Sequence, residues 1–560
     1  MSVHWEAPAG GLWELDTVHM HGGQPRVFQD RAPRAFREGF HEAAARYGLP
    51  IDYLDVRFVN DHCYARMRPI GAPEPRPGKP SNPPPDVVLR VLARLHPELR
   101  RRARTARRAI TQRRWLDDKR RWEESDRPEM LATGRALQSE DLEAFDDGAL
   151  VDHLRRAGDH LERGIAMHLA LIPVHNLPVG RLVRACRGWG IGDAEAFELL
   201  GASSPASTAP TAELASIAAA CADAGIVPTS LDDVRGAGPD ASRALDRFLA
   251  DHGWKAVTQY SPRALTLVEQ PDLLLRAIRC APTAAPPAPD VDTLRNRVPA
   301  EQRARFDDLL DDARSCFGIR DDNVTLTFLW PAGLVRRALL ECGRRLATRG
   351  LVHAEAHVFA LGEDEIAAAL TGDTTLAGVA ATRTTRLEAA ETEGPPAQLG
   401  DDEGPPPDPG LFPAPLAELV RAMLLEFELE AALLGTQREL TWSGEGVGIG
   451  SAPYAGRACV AVTAEDALAR LQTGDVLVTT HTTPTFAAVF PIAGAVVTEA
   501  GGLMSHTAIC CRAHGIPAVL GVTGATVEIP DGALVTVDPT TGRVLFEAEP
   551  ITTTLGATAP

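Results

Sequence analysis

One histidine near the carboxyl end of the chain has neighbours that would suit a nucleophile. His506 follows two glycines and Ser505 in the run GGLMSHTAICCR (501–512). A helix that begins near Ser505 places His506 in its first turn, where the positive end of the helix dipole disfavours the imidazolium form. The N–H groups of that turn would also receive an anion, and the glycines permit a sharp turn before it. These features suit a histidine that accepts and passes on a phosphoryl group.

The alternative is an ordinary histidine, because a lone histidine in a first turn is more often a polar surface or capping residue. The other histidines indicate no metal site. His153 and His160, like His168 and His175, are seven residues apart, whereas a helical metal pair needs a spacing of four. We therefore predict ordinary polar positions for these four histidines, and no bound metal.

The window around His506 resembles the phosphohistidine signature of the PEP-utilising enzyme mobile domain. The segments VLVTTHTTPTF (476–486) and AVVTE (495–499) precede it in the family's order, and Met504 stands where many members have threonine. The resemblance implies that His506 is the phosphoryl carrier. The residues that match are Gly501, Gly502, Ser505, His506, Thr507, Ala508, Ile509 and Arg512, then GIPAVLG (515–521), Ala525 and Thr526. Of these, the resemblance assigns phosphate binding to Gly501, Gly502, Ser505, Thr507 and Arg512.

The middle of the chain resembles the helical substrate-binding domain of rifampicin phosphotransferase and related proteins. Two stretches carry this resemblance, 248–278 and 318–361. Arg320 and Asp321 match in type the start of the family's Arg-Glu-x-x-Lys pattern. They are therefore predicted to be catalytic, Arg320 offsetting developing charge and Asp321 acting as a candidate base. Val324 replaces the lysine of that pattern.

Other positions in this region depart from the family pattern or allow a structural interpretation. Gln259 and Ser261 stand where acidic residues are common, and His357 stands where aspartate is usual. Gln259 and Arg337 are the predicted substrate-binding residues. The alternative for Arg320 and Asp321 is an exposed ion pair at a helix start, worth less than about 1 kcal/mol. The alternative for Arg337, with its neighbour Arg336, is a solvated helix face.

The amino-acid composition is typical of a large, acidic globular protein. The chain has 560 residues, 44% of them apolar, and a net charge of −18, which disfavours nucleic-acid binding overall. Its nine cysteines form no CxxC pair, which indicates a reducing compartment. We find no leader-like or membrane-spanning stretch and expect a cytoplasmic protein.

The predicted fold class is multidomain α + α/β: a largely helical substrate-binding domain followed by a compact, swivelling β/α phosphohistidine domain. The latter prediction follows from strands that alternate with short helices. The predicted divisions are a small β-containing N-terminal part of the substrate-binding region (1–71), a Pro-rich spacer (72–85), the helical domain (86–391), a Pro/Gly/acidic linker (392–415), a connecting helix (416–440), the phosphohistidine domain (441–548) and a tail (549–560).

The segment Arg90–Arg121 carries thirteen basic and three acidic residues. Its apolar spacing indicates helix, interrupted or restarted at Pro97. The simpler interpretation is a solvated basic helix face. The other interpretation is a docking surface for an acidic partner.

Together these observations predict a phosphotransferase subunit. No Gly-rich phosphate loop or ATP-grasp-like segment is visible, so we expect a separate ATP-grasp protein, as in the split phenylphosphate synthase, to phosphorylate His506 from Mg-ATP. We expect the chain itself to bind no cofactor tightly. The acceptor would be a small organic molecule that is phosphorylated on a hydroxyl group more readily than on a carboxylate. Two alternatives stay open: a non-catalytic phosphohistidine relay or scaffold, and a dehydratase in which phosphorylation activates a hydroxyl for elimination.

Overall fold

The computed structural model describes residues 4–16, 20, 22–75, 85–201, 205–257, 259–279, 281, 290–390, 394–401, 407–425, 444–450, 452–482, 486, 489–503 and 505–546. They form two compact units. The first contains the described residues up to Leu425 together with Phe486, and the second contains the other described residues from 444 to 546. The first unit therefore continues past the predicted linker boundary at 391.

The first unit is mainly helical. Two π-helical segments, Trp122–Asp126 and Thr325–Leu329, interrupt otherwise continuous α-helix. The α-helices are α1 (Arg26–Tyr47), α2 (Asp86–Leu95), α3 (Pro97–Thr111), α4 (Arg114–Arg121), α5 (Arg127–Ser139), α6 (Asp147–Gly188), α7 (Asp193–Glu198), α8 (Pro205–Asp223), α9 (Leu231–Gly236), α10 (Pro239–His252), α11 (Pro271–Arg279), α12 (Val291–Arg297), α13 (Arg303–Phe317), α14 (Ile319–Val324), α15 (Trp330–Thr348), α16 (Glu363–Leu370), α17 (Leu376–Ala390) and α18 (Ala414–Met423).

Helix α6 is the central element of this unit. Proline ordinarily ends or kinks a helix, but this helix continues through Pro173 and Pro178 to Gly188. Proline removes a backbone donor and strains the preceding turn. Here both prolines are buried, and α6 packs against α1, α13, α15 and α18. Burial of the apolar side chains around the two prolines offsets that cost, so tertiary packing overrides the local propensity.

A small antiparallel sheet covers one part of the first unit. Its strands are β1 (Leu12–Leu15), β2 (Ile51–Val59), β3 (His62–Pro69) and β4 (Gln398–Gly400), in the order β2-β3-β1-β4. Strand β4 lies inside the segment predicted as a linker and pairs with β1. The segment 1–71 also contains α1, which the sequence analysis did not predict and which packs against α6.

The second unit contains a mixed eight-stranded sheet. The order is β5-β12-β11-β7-β8-β9-β10-β6, and β7 to β10 are parallel neighbours. Strands β5 and β6 form its two ends but are consecutive in the chain, joined through Gly446, so the sheet closes on itself like a barrel. The strands are β5 (Gly444–Glu445), β6 (Val447–Ile449), β7 (Tyr454–Val460), β8 (Val476–Thr479), β9 (Ala495–Thr498), β10 (Ala518–Leu520), β11 (Leu534–Asp538) and β12 (Arg543–Phe546).

Three short helices accompany this sheet: α19 (Ala464–Arg470), α20 (His506–His514) and α21 (Ala525–Glu528). The sequence pattern predicts strands over 456–463, 475–480 and 495–499 and a hairpin with its turn at 539–542. Strands β7, β8 and β9 and the β11–β12 hairpin lie there, whereas β5, β6 and β10 were not predicted. The sequence pattern also predicts a helix over 483–494, but the described residues there, 486 and 489–494, include no α-helix. Residues 426–440 of the predicted connecting helix (416–440) lie outside the described residues. The chain is thus mostly helical with a separate strand-rich sheet unit.

Candidate functional site

The candidate site lies at the carboxyl ends of two adjacent parallel strands. Strand β8 leads into Thr480–Thr482, and β9 leads into the glycine loop before α20. Two backbone hydrogen bonds join these loops: Glu499 N–H donates to the Thr479 carbonyl (3.1 Å) and Ala500 N–H to the Thr480 carbonyl (2.7 Å). Ligand sites favour the carboxyl ends of parallel strands, because loops from neighbouring strands converge there.

His506 is the first residue of α20 and is half-buried. Its Nδ1 lies 3.3 Å from Thr482 Oγ1, which in turn lies 2.7 Å from Thr507 Oγ1. Its Nε2 lies 3.2 Å from Cys510 Sγ, one helical turn further along. The ring of Phe490 packs against the imidazole, with centroids 5.7 Å apart. The imidazole is therefore contacted by Thr482 from the loop after β8, by Cys510 from its own helix and by Phe490, which precedes β9.

Ser505 caps the amino end of α20. Its Oγ accepts a hydrogen bond from Ala508 N–H (3.2 Å), and its extended backbone ends the glycine loop. The loop depends on Gly501, which adopts a φ of +116°. A Cβ at that position would lie 3.2 Å from both Cβ and Oγ of Ser505, so a larger residue would disturb the cap. The sequence pattern correctly located this helix start.

The remaining predicted phosphate-binding residues lie in the same segment. Gly502 and Thr507 are buried, and Thr507 joins the threonine pair beneath the imidazole. Arg512 is half-buried and its Nη1 donates to the Leu503 carbonyl (2.8 Å), so part of its guanidinium holds the glycine loop. His514, at the end of the helix, stacks on Phe490, and burial lowers its pKa to about 4.

Sequence reasoning missed Thr482, Cys510 and Phe490 as neighbours of the histidine. Cys510 follows His506 by four residues, a spacing that places two side chains on one helix face, so this contact could have been found. Thr482 could not be found from spacing, because β8 and β9 bring it to the site from 24 positions away. Cys511 is fully buried, and burial raises the pKa of its thiol.

In the first unit, the structure brings Arg320, Asp321 and Gln259 into one neighbourhood. Arg320 and Asp321 are half-buried at the start of α14, and the charges of both act on Tyr260, which follows Gln259. Burial, reinforced by the positive charge of Arg320, lowers the pKa of His175 to about 3. The buried Oε1 of Gln259 has no hydrogen-bond partner among the described residues. An amide oxygen in that position could accept from a bound hydroxyl.

The alternative interpretation of Arg336 and Arg337, a solvated helix face, is wrong. Arg336 is buried and its guanidinium binds both oxygens of Glu269, at 2.8 and 2.9 Å. Arg337 is half-buried and donates to the carbonyls of Leu137, Gln138 and Glu140 at the end of α5, and burial lowers its pKa. The aliphatic and planar parts of arginine let both residues bridge helices inside the unit.

The four histidines of α6 were assigned ordinary polar positions, yet three of them are buried: His153, His160 and His175. Among the described residues, no group of three or more His, Cys, Asp or Glu side chains is arranged to hold a metal ion. The described helices also include none that is long and apolar enough to span a membrane.

Comparison with known proteins identifies the second unit. Residues 471–542 match the family model described as PEP-utilising enzyme, mobile domain. Over 89 residues the chain is 47% identical to phosphoenolpyruvate synthase of Aeropyrum pernix, a match that covers 16% of this chain and 11% of that protein. Over 99 residues it is 42% identical to rifampicin phosphotransferase of Bacillus cereus, covering 18% of this chain and 11% of that protein.

A longer match extends beyond that family region. The chain is 30% identical over 319 residues to an uncharacterized protein of Mycobacterium tuberculosis, covering 56% of this chain and 32% of that protein. The matched regions of these three relatives thus span between 11% and 32% of their lengths.

Proposed function

From the premise that residues 471–542 form a PEP-utilising enzyme mobile domain, we propose that this chain is a phosphotransferase whose phosphoryl carrier is His506. The observation that carries the proposal is the position of His506 at the start of α20, beside a capping serine and a threonine pair. Named phosphotransferases among the relatives support the reaction class.

Nε2 of His506 is the nitrogen that we assign to the phosphoryl group. In a neutral imidazole one nitrogen donates and the other accepts. Thr482 is fixed by Thr507 and can accept from Nδ1–H, which leaves the lone pair on Nε2. That pair attacks the donor's phosphorus, and the N–P bond forms as the donor's O–P bond breaks. A thiol is a weak hydrogen-bond donor, so Cys510 would yield Nε2 to the incoming group at small cost.

The second half-reaction would take place at the first unit. The acceptor hydroxyl would attack the phosphorus, its proton would pass to Asp321, and the N–P bonding pair would return to Nε2 of His506. Arg320 would offset charge on the transferred group, and Gln259 would orient the acceptor through its buried Oε1. Arg337 is the weaker candidate, because its guanidinium already serves three carbonyls.

In this scheme a separate ATP-grasp protein binds Mg-ATP and uses it to phosphorylate His506. The support for it is the resemblance to split phosphotransferases, and the acceptor is a small organic hydroxyl compound. The reaction at His506 needs only a donor phosphorus and this chain's own nitrogen, so the carrier step can be tested without that protein.

A relay without catalysis at the first unit is the second candidate. Val324, which stands where the family pattern has lysine, is 5% exposed and belongs to the core of the first unit. If the second half-reaction requires a cation at that position, the chain would carry phosphate and release it only to another protein. Phosphorylation of His506 with no transfer to any small hydroxyl compound would favour this relay.

Phosphoramidate, a small phosphoryl donor, provides the test of the carrier. We expect the intact chain to gain one phosphoryl group, detected by intact mass and by the acid-labile signal of phosphohistidine in ³¹P NMR. His506→Ala should abolish the gain, whereas His481→Asn, on the neighbouring loop, should not. Equal incorporation into the His506 variant would refute the assignment.

A further inference from the structure

Helix α2 exposes a continuous apolar strip in the first unit. The exposed fractions are 70% for Val87, 45% for Val88, 48% for Val91, 41% for Leu92 and 67% for Leu95. These positions follow the spacing of one helix face, so the five side chains are neighbours. The other exposed large apolar residues in the described part of the chain are scattered, and isolated ones need no explanation.

The opposite side of α2 attaches it to the unit. Ala93 is 1% exposed and Leu89 is half-buried, one turn apart, and the helix packs against α3. This side attaches the helix to the unit, because the five side chains of the outward strip remain 41–70% exposed. The strip is therefore an exposed apolar surface on a helix whose opposite side is packed against the unit.

Positive charge surrounds the strip. Residues 86–111 contain eight arginines and only two acidic residues, Asp86 and Glu98. Glu98 is occupied by Arg101 and Arg102. Within the described residues no ion pair involves the exposed arginines that remain, which are Arg90, Arg94, Arg100, Arg104, Arg107 and Arg108. Because the chain as a whole has a net charge of −18, α2 and α3 form a local basic surface on an acidic protein.

We propose that α2 and the adjacent arginines of α3 form a docking surface for an acidic amphipathic helix of another protein. The apolar face of such a helix would pack on Val87, Val91 and Leu95 by ridges into grooves, and its glutamates or aspartates would pair with the flanking arginines. A ten-residue helix is about 15 Å long, which provides a small interface of the transient kind. The donor of the proposed phosphoryl transfer is one protein that could carry such a helix.

Two other occupants fit the surface less well. A second copy of the chain would bring arginine-rich flanks against arginine-rich flanks, and only Asp86 could compensate on each side. An anionic membrane would attract the arginines but repel the rest of the acidic chain, and the strip contains only valine and leucine without an aromatic side chain. Charge complementarity therefore favours the acidic helix.

A synthetic peptide tests the proposal without the donor and without any phosphoryl transfer. The probe is a labelled amphipathic helix of three heptads with leucine at a and d and glutamate at the flanking positions, and its control has lysine in place of glutamate. Fluorescence anisotropy with the intact chain should show saturable binding of the glutamate peptide, at least tenfold weaker binding of the lysine peptide, and weakening with added salt.

Matched variants locate the binding. The double variant Val91→Asp with Leu95→Asp should bind the glutamate peptide at least tenfold more weakly. The double variant Arg90→Glu with Arg94→Glu should lose affinity by a similar factor. Val227→Asp, which replaces an 80% exposed valine elsewhere in the unit, should leave binding unchanged. All these positions are exposed, and circular dichroism would verify that each variant folds.

Three results would overturn the proposal: equal binding of both peptides, retention of affinity in the α2 variants, or no binding of the glutamate peptide. Concentration-dependent dimers that the α2 variants abolish would instead assign the surface to a second copy. Co-sedimentation with anionic vesicles, lost in the same variants, would assign it to a membrane. Because His506 takes no part in peptide binding, failure here leaves the carrier assignment untouched.

Discussion

The contact between Cys510 and His506 makes the rate of phosphorylation sensitive to a single thiol. If the thiol donates to Nε2, it favours the tautomer with the proton on Nδ1, whose acceptor is Thr482. Cys510→Ala should then raise the phosphoramidate rate by up to about tenfold, because a hydrogen bond of about 0.5–1.5 kcal/mol no longer has to break before Nε2 attacks. Cys510→Ser, which keeps a donor, should return the rate to the wild-type value or below it.

Nitrogen-15 NMR of the imidazole gives a readout that a merely structural role would not change. We expect the alanine variant to shift the population toward the Nε2–H tautomer and the serine variant to return it. An unchanged tautomer together with a reduced rate would show that Cys510 acts only through packing.

At the scale of the element, two substitutions at the amino end of α20 distinguish the effect of Ser505 on stability from its effect on the phosphorylation of His506. Ser505→Ala removes the cap and should destabilise the second unit by about 1 kcal/mol. Ser505→Asp keeps a capping oxygen and should retain stability, yet its negative charge should slow phosphorylation of His506. Thermal unfolding and the phosphoramidate assay measure the two effects. Phosphorylation by the aspartate variant at the wild-type rate would contradict phosphate binding in this turn.

Helix α6 allows a similar comparison between two glycines. A Cβ on Gly164 would collide with the backbone carbonyl of Thr327, whereas a Cβ on Gly188 would meet no atom within 4 Å. Gly164→Ala should lower the free energy of unfolding of the first unit by about 1–3 kcal/mol, because the carbonyl is held in a π-helical segment. Gly188→Ala should be neutral or stabilising by up to about 1 kcal/mol. Urea denaturation compares them, and equal effects would refute the close approach.

Local sequence signals predict some of these elements but not those that depend on distant parts of the chain. The start of α20 was predictable because glycines, a capping serine and a helical run are local signals. The continuation of α6 through Pro173 and Pro178 was not, since the helices that pack around it come from distant parts of the chain. Strand β4 could not be predicted for the same reason, because its partner β1 lies almost 400 residues earlier in the chain. The burial of Arg336 depended on Glu269, which no spacing rule connects to it.

At the scale of the whole molecule, a buried histidine should make stability depend on pH. His160 is 4% exposed, and burial lowers its pKa from 6.5 to about 4. The unfolded chain therefore binds this proton at a higher pH than the folded chain does. The contribution of His160 to the free energy of unfolding is therefore fully present above about pH 6.5. It is lost as the pH is lowered toward 4, and the loss is about 2 kcal/mol between pH 7 and pH 5.

Urea denaturation at the two pH values, followed by tryptophan fluorescence, measures this loss. His160→Leu should remove about 2 kcal/mol of the difference, while His41→Gln, an exposed control, should leave it in place. An unchanged difference in the leucine variant would mean that other groups control the acid sensitivity.

The proposed transfer also requires motion between the two units. His506 must come within about 3 Å of a donor phosphorus and later of an acceptor oxygen, and one position cannot satisfy both. The second unit has its own buried core, formed by Val476, Val497, Val519, Val535 and others, so it can move as a body without losing its packing. We predict microsecond-to-millisecond exchange of this unit in the intact chain, seen as relaxation dispersion of methyl resonances from 444–546. The helical unit should show no such dispersion in its core. Flat dispersion profiles and a single correlation time for both units, before and after treatment with phosphoramidate, would contradict the carrier mechanism even if His506 itself were phosphorylated.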